Sequence, residues 1–333
     1  MKVIEDHAKL SAHPVVSILC ITFNQVDYIR DAIDSFLEQD FGDDIEILIN
    51  DDCSTDGTLD ILLEYQRTHP DLFRIVTHEE NQFSKGVSPM GEFLVPLARG
   101  EFISMCEGDD YWTDRKKLAR QLAVMRQHPD IAACVHANEN VQAGTKRQLS
   151  IVRYRDHDSM ISERDIVTHS QCYATNSLFV RTSALQQYRD SPFGSLKTDG
   201  DHKMLVYFGL VAGGIYYINE VMSAYRVLAK NSVNRSMVTS ARLPEAARGK
   251  YEKRVALLKL VDRYTDNRLH ELVALGMESM EYSYYRDIRD LRTLKRRWPS
   301  KLKDESFFSR VDLYLYTYCR PLHKMLIGLY CRL

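Results

Sequence analysis

Apolar and polar positions along the first half of the chain follow two rhythms in alternation. Residues 15–22 form a continuous, partly β-branched apolar run. Residues 27–39 instead space Ile29, Ala32, Ile33, Phe36 and Leu37 as one face of a helix. The same exchange repeats: a buried-type strand at 45–49, a helix at 58–67 capped by Thr55 or Asp56, and a strand at 73–77. A helix follows at 89–98, which Pro96 must kink or shorten because it lacks an N–H and crowds the preceding turn. A strand at 101–106, a helix at 115–127 and a strand at 131–136 complete the series. Strands separated by helices of this length predict an α/β fold with a mostly parallel, Rossmann-like sheet covered on both faces.

From 141 to 198 the rhythm weakens to short strands and loops, read as additions near a sheet edge. Beyond Arg235 it changes character. Residues 244–263 and 267–297 show helical spacing, with Pro299 ending the second run, and 309–333 is rich in Leu and Tyr and broken at Pro321. These shifts predict an α/β domain over 1–235, whose first 13 residues are flexible, and a helical appendage over 236–333.

Charge sharpens this division. The net charge of -2 conceals 20 Lys+Arg against 12 Asp+Glu from 241 to 333, and 24 against 34 over 1–240. An acidic main domain argues against nucleic acid as its partner, while a basic tail suits an anionic surface or simply a solvated helix face. The seven cysteines show no C-x-x-C spacing, and several sit in apolar runs, which predicts neither a disulfide framework nor a zinc site. The first 14 residues lack the apolar core of a signal peptide, and no run of 18 apolar residues occurs. The expected location is the cytoplasm, extending to the cytoplasmic face of the membrane.

Ligands of open α/β sheets bind outside the carboxyl ends of the strands. Three such ends carry polar residues: Thr22-Phe23-Asn24, then Asn50-Asp51-Asp52 running on to Thr58, and Glu107-Gly108-Asp109-Asp110-Tyr111-Trp112. Adjacent carboxylates repel unless a cation or donor balances them. Two acidic pairs at neighbouring strand ends therefore suggest a hard divalent cation, Mg²⁺ or Mn²⁺, completed by phosphate oxygens of a ligand. Neither a G-x-G-x-x-G turn nor a P-loop is present, so a nucleotide here has no glycine cradle.

Thr22-Phe23-Asn24, the segment DDCSTDGT at 51–58, the segment EGDDYWTDRKKLARQ at 107–121, Asp199-Gly200-Asp201-His202 and Ala224-Tyr225-Arg226 together resemble the family 2 glycosyltransferases of GT-A fold. The similarity is strongest to bacterial enzymes that build surface polysaccharides, and it covers roughly residues 14–235. It implies an inverting transfer of a sugar from a nucleoside-diphosphate sugar, most commonly a UDP-sugar, to a hydroxyl of a glycan acceptor that a lipid can carry. By the same resemblance Thr22 and Asn24 line the nucleotide pocket, and Asp51 and Asp52 meet the base, with Asp52 in direct contact. Asp109 lies by the ribose, Asp110 binds the metal that bridges the diphosphate, and Asp201 is the catalytic base, with Asp199 as its alternative. Relatives often carry a His two residues after the Tyr-Arg pair. Here that position is Leu228, which leaves Arg226, Lys230 or Arg235 to supply charge near the diphosphate.

Other readings of these residues stay open. The acidic pairs also suit turns and helix caps. Tyr111 and Trp112 suit either sugar stacking or core packing. A sugar nucleotidyltransferase shares the sheet and the carboxylates, but is expected to have a glycine- and basic-rich loop after the first strand. A catalytically inert glycan-binding or scaffolding relative is expected to have lost the carboxylates. The basic and aromatic C-terminal region suits a peripheral membrane contact, a helical subdomain or a homo-oligomer contact.

Overall fold

The computed structural model describes residues 1–168, 173–197, 200–230, 244–323 and 325, and of Asp201 and Pro244 the backbone only. The chain divides into two compact units, one of Met1–Ile166 with Ser170–Ser236 and one of Val167–His169 with Met237–Leu333.

In the first unit the strands are β1 (Lys2–Ile4), β2 (Val16–Thr22), β3 (Ile45–Asp51), β4 (Phe73–Thr77), β5 (Phe102–Met105), β6 (Tyr111–Trp112), β7 (Ala133–Gln142), β8 (Gln148–Val152), β9 (Ser159–Met160), β10 (Phe179–Arg181) and β11 (Ile215–Val227). Their order in one sheet is β1-β4-β3-β2-β5-β10-β7-β11-β6, with β8 beside β7 and β9 beside β11. The four central strands β4, β3, β2 and β5 run parallel. Parallel strands covered on both faces read as unbroken apolar runs, and Ile18, Leu19, Cys20, Ile47, Leu48 and Ile49 are all fully buried. Helices α1 (Ile29–Leu37), α2 (Thr58–Thr68) and α3 (Lys117–Gln127) share a core with them through Ile33, Phe36, Leu62, Leu118 and Met125. The α/β class and the mostly parallel sheet are therefore as the sequence predicts.

Several details differ. Region 141–198 does not merely decorate an edge: β10 lies inside the sheet, antiparallel to both β5 and β7. Three residues show no periodicity, so only pairing on both sides makes that segment a strand. The N-terminus, expected to be flexible, adds β1 antiparallel to β4, and Arg74 Nε donates to Glu5 Oε2 at 2.5 Å just beyond it. Residues 89–98 form no α-helix. Met90–Leu94 is a π-turn and Val95–Leu97 a 3₁₀ turn, because Pro96 cannot donate to the ladder.

The second unit is helical. The predicted run 267–297 is two helices, His270–Asp287 and Leu291–Arg297, parted where Arg289 turns left-handed at φ 56. Asp290 caps the second by accepting from the Thr293 N–H at 3.0 Å. The Leu291–Arg297 helix ends just before Pro299, as expected, and Pro299 also opens the Pro299–Asp304 helix. Leu291, Leu294, Trp298, Leu302 and Leu313 form this unit's core with Tyr282.

Candidate active site

The strand order reverses at β2: β3 and β4 lie on one side and β5 on the other. A ligand site is expected outside the carboxyl ends at such a switch point, and the three polar strand ends converge there. Asn24 adopts φ 52, a left-handed conformation that Asn tolerates. Its N–H donates to Ser54 Oγ at 2.8 Å, and its Oδ1 accepts from the Thr55 N–H at 2.7 Å. The Gln25 and Val26 N–H groups donate to Thr58 Oγ1 and Asp56 Oδ2. The loops after β2 and β3 are thus one hydrogen-bonded unit. Asp56 also accepts from the Thr58 N–H at 3.0 Å while Gly57, at φ 97, makes the turn into α2.

Asp51 and Asp52 are both buried but differently engaged. Asp51 Oδ2 accepts from the Ser54 N–H at 3.0 Å, and its Oδ1 is buried with no hydrogen-bond partner among the described residues. Burial pushes the Asp51 carboxyl above its ordinary range, against the Ser54 bonds. Asp52 accepts from the Gln82 N–H at 2.7 Å and the Phe83 N–H at 2.9 Å, and its own N–H donates to the Thr22 carbonyl at 3.0 Å. Its carboxylate is therefore fixed in orientation, with lone pairs left over.

The loop after β5 approaches β2 closely. The Gly108 N–H donates to the Ile21 carbonyl at 3.0 Å. A Cβ on Gly108 would stand 2.4 Å from Gln25 Oε1 and 2.9 Å from Thr22 Oγ1. Thr22 Oγ1 itself donates to Gln25 Oε1 at 2.8 Å. Asp110 is fully buried: Oδ1 accepts from the Arg226 N–H at 2.9 Å and Oδ2 from Asn176 Nδ2 at 2.9 Å. Burial pushes the Asp110 carboxyl well above its ordinary range, and Asp109 and Glu107 push the same way. Asp109 is raised as well, chiefly by burial, with the Arg226 charge opposing.

Arg226 is almost wholly buried between the rings of Tyr28 and Tyr111, whose centroids lie 5.1 and 4.6 Å from its Cζ. It donates to the Asp109 carbonyl at 2.7 Å and pairs with Asp31. Two of its nitrogens thus tie α1 and the Asp109–Asp110 loop to β11, while its Nε is buried with no hydrogen-bond partner among the described residues. Arg226 places its charge beside Asp109.

A buried acid at the opposite end of the same sheet is paired differently. At the amino end of β3, Glu46 is equally buried, yet Arg99 and Arg74 reach it with donors at 2.9 and 3.3 Å, and Ser17 adds a third at 2.6 Å. Among the described residues, Asp51, Asp109 and Asp110 at the carboxyl ends have no such surplus of cations. The described residues hold no cluster of three His, Cys, Asp or Glu that forms a closed cage. A hard cation fits here in the other manner, on one or two carboxylates completed by phosphate oxygens.

The remaining sequence candidates fall as follows. Asp201 stands in the first turn of the Gly200–Leu210 helix; its side chain, Asp199 and Arg235 lie outside the described residues. Lys230 is exposed, and its N–H donates to Tyr28 Oη at 3.4 Å. Leu228 takes a left-handed φ of 57 with its side chain half exposed, and brings no donor. Trp112 belongs to the core, 4.7 Å from the Phe36 ring and capped by Lys117 Nζ at 4.0 Å. Tyr111 faces Arg226. Sequence reasoning missed Asn176, Asp31 and Gln25. Each is a lone polar residue in an ordinary local pattern, and only the fold brings it to the acid pair.

The profile of glycosyl transferase family 2 matches residues 17–189, just over half of the chain. An uncharacterized protein of Mycobacterium tuberculosis, Rv1520, is 33% identical over 216 residues, 63% of this chain and 58% of that one. The chain thus spans less than two thirds of that relative's length. Among solved structures, Staphylococcus aureus TarS 1-349 in complex with UDP-GlcNAc superposes with a TM-score of 0.55 at 17% identity, covering 90% of this chain and 89% of that one. The mannosyltransferase PcManGT of Pyrobaculum calidifontis, in complex with GDP-Man and Mn²⁺, gives 0.53 at 17% identity over 95% and 84%. With the GT-A arrangement of strands and the acid pairs at its switch point, the chain belongs to glycosyl transferase family 2.

Proposed function

We propose that the protein is an inverting glycosyltransferase that moves a sugar from a nucleoside-diphosphate sugar, preferably a UDP-sugar, to a hydroxyl of a glycan acceptor in bacterial surface-polysaccharide synthesis. The observation that carries this reading is the adjacent Asp109–Asp110 pair at the switch point, with Asp110 buried, Asp109 half-buried and Arg226 donating to the Asp109 carbonyl. Such a site is completed by a cation and a phosphate ligand. The structures of TarS with UDP-GlcNAc and of PcManGT with GDP-Man and Mn²⁺ support a nucleotide sugar and a divalent cation on this fold.

The roles are those the family resemblance implies for these positions. Thr22 and Asn24 hold the floor of the nucleotide pocket, and Asp52, pre-oriented by the Gln82 and Phe83 N–H groups, accepts from the nucleobase above the buried Asp51. Asp109 receives the ribose, and Asp110 holds Mn²⁺ or Mg²⁺, with Arg226 and Asn176 fixing its two oxygens. When bound, that ion offsets the charge growing on the departing diphosphate. A sugar hydroxyl is a poor nucleophile at neutral pH, so Asp201 accepts its proton in the transition state. Attack opposite the diphosphate inverts the anomeric centre. The reaction belongs to residues 1–235, at the cytoplasmic face of the membrane where lipid-carried acceptors are met.

The test is release of nucleoside diphosphate from UDP-, GDP- and TDP-sugars, with and without Mn²⁺ and a glycan acceptor. Turnover of one donor class that needs metal, and that falls in both Asp110→Asn and Asp201→Asn, is expected. No turnover of any donor under any of these conditions contradicts the proposal.

A further inference from the structure

Within the second unit, the Phe307–Tyr318 helix is apolar on two opposite sides. One side is accounted for: Leu313 is buried in the core with Leu294 and Trp298. On the other, Phe307, Val311, Tyr314 and Tyr318 recur at i, i+4, i+7 and i+11 and therefore form one stripe. That stripe is open to solvent, with Phe307 67% and Tyr318 65% exposed, and the adjoining Phe308 82%. Leu322 and Met325 extend the exposed apolar surface along the chain. A helix that is hydrophobic all round is normally covered on every side.

The border of the stripe indicates what covers it. Lys295 Nζ lies 4.4 Å from the centroid of the Tyr314 ring and 5.6 Å from that of Tyr318. Lys295 shares one face of the Leu291–Arg297 helix with Arg292 and Arg296, at i, i+3 and i+4, and all three are exposed. The acid of the Phe307–Tyr318 helix, Asp312, is already matched by Arg289 at 2.9 Å and His323 at 2.8 Å. The patch is therefore aromatic and aliphatic with a cationic rim. That combination fits a membrane interface, where rings enter the headgroup layer and Lys and Arg stay among anionic lipids.

We propose that this face of the second unit docks on an anionic bilayer surface. The proposal rests on that unit alone and is independent of the sugar-transfer reading. It gives a chain without a membrane-crossing helix among its described residues a way to meet acceptors carried on lipid.

The experiment is flotation of the full chain with vesicles of phosphatidylcholine alone, and with about 30% phosphatidylglycerol. Binding is expected to the anionic vesicles, and to weaken at about 0.5 M salt. Two exposed-site variants, Phe307→Ser with Phe308→Ser and Lys295→Glu with Arg296→Glu, are each expected to lower the bound fraction about tenfold. Melting temperature and diphosphate binding are expected to stay unchanged, which separates loss of docking from loss of fold or of the donor site. No flotation with anionic vesicles, or flotation equal in wild type and both variants, overturns the proposal. Sedimentation showing a dimer that Phe307→Ser with Phe308→Ser dissociates, without flotation, also overturns it and assigns the stripe to a second copy.

Discussion

Asn176 Nδ2 donates to Asp110 Oδ2 at 2.9 Å, while Asn176 Oδ1 accepts from Ser223 Oγ at 2.7 Å. The hydroxyl fixes which way the amide faces, and the amide fixes the carboxylate. If Asp110 holds the cation, Asn176→Ala is expected to lower Mn²⁺ affinity in the presence of nucleoside diphosphate by about 10–100-fold. The buried partners it leaves unpaired cost about 1–3 kcal/mol of stability. Titration calorimetry with Mn²⁺ measures the first effect and urea unfolding the second. A stability loss with unchanged Mn²⁺ affinity reduces Asn176 to a packing role.

Asp110 and Asp201 are expected to fail differently. If Asp201 is the base, Asp201→Asn is expected to lower kcat by about 10²–10⁴ while donor affinity holds. If Asp110 holds the cation, Asp110→Asn is expected to lose metal-dependent donor affinity itself. Steady-state kinetics together with donor titration distinguish the two. Loss of donor affinity in Asp201→Asn removes it from the base role and moves that role to Asp199.

Gly108 is a test of close approach rather than of charge. Its missing Cβ leaves room for Gln25 and Thr22, which an alanine would meet at 2.4 and 2.9 Å. Gly108→Ala is expected to displace the Asp109–Asp110 loop, to cost about 1–3 kcal/mol in stability, and to weaken diphosphate binding. Gly42→Ala, with open space around its Cβ, is the control expected to leave both unchanged. Equal diphosphate affinity in the two variants contradicts the close-packed loop.

Lys117 predicts a pH dependence. It is fully buried on α3, donates to Ser104 Oγ at 2.9 Å and Gln121 Oε1 at 2.8 Å, and has no carboxylate partner among the described residues. Burial pushes it down to about 7 from an ordinary 10.5. Between these values the unfolded chain binds a proton that the folded chain does not. Stability from this group therefore rises with pH from about 7 to about 10.5, by roughly 1.4 kcal/mol per unit, and is flat below 7. Urea midpoints at pH 7 and 9 are expected to differ less in Lys117→Met than in wild type. An identical pH slope contradicts a neutral buried lysine.

These positions also mark how far the sequence was legible. β2, β3 and β4 were readable because strands buried on both faces must be apolar throughout, and the acid pairs because adjacent carboxylates at strand ends need a balancing partner. β10 was not, since three residues become a strand only through pairing with distant β5 and β7. Arg226 was readable as a cation but not as one committed to Asp31 and the Asp109 carbonyl, which are brought to it by α1 and the loop after β5. Trp112 had two readings in the sequence, and its contact with Phe36 decides for the core. The Leu- and Tyr-rich tail suggested a surface, but which side of the Phe307–Tyr318 helix is open follows only from where Leu313 packs.

The most direct measurement is a thermal-shift comparison of wild type and Asp110→Asn with UDP, GDP, TDP and CDP, each with and without Mn²⁺. A ligand that binds only the folded state raises the melting temperature with the logarithm of its concentration over Kd. The account predicts that one diphosphate, with UDP foremost, stabilises the wild type only when metal is present, and that Asp110→Asn loses this response. A shift of equal size in Asp110→Asn, or no shift with any diphosphate and metal, contradicts a metal-dependent nucleotide site at the ends of β2, β3 and β5.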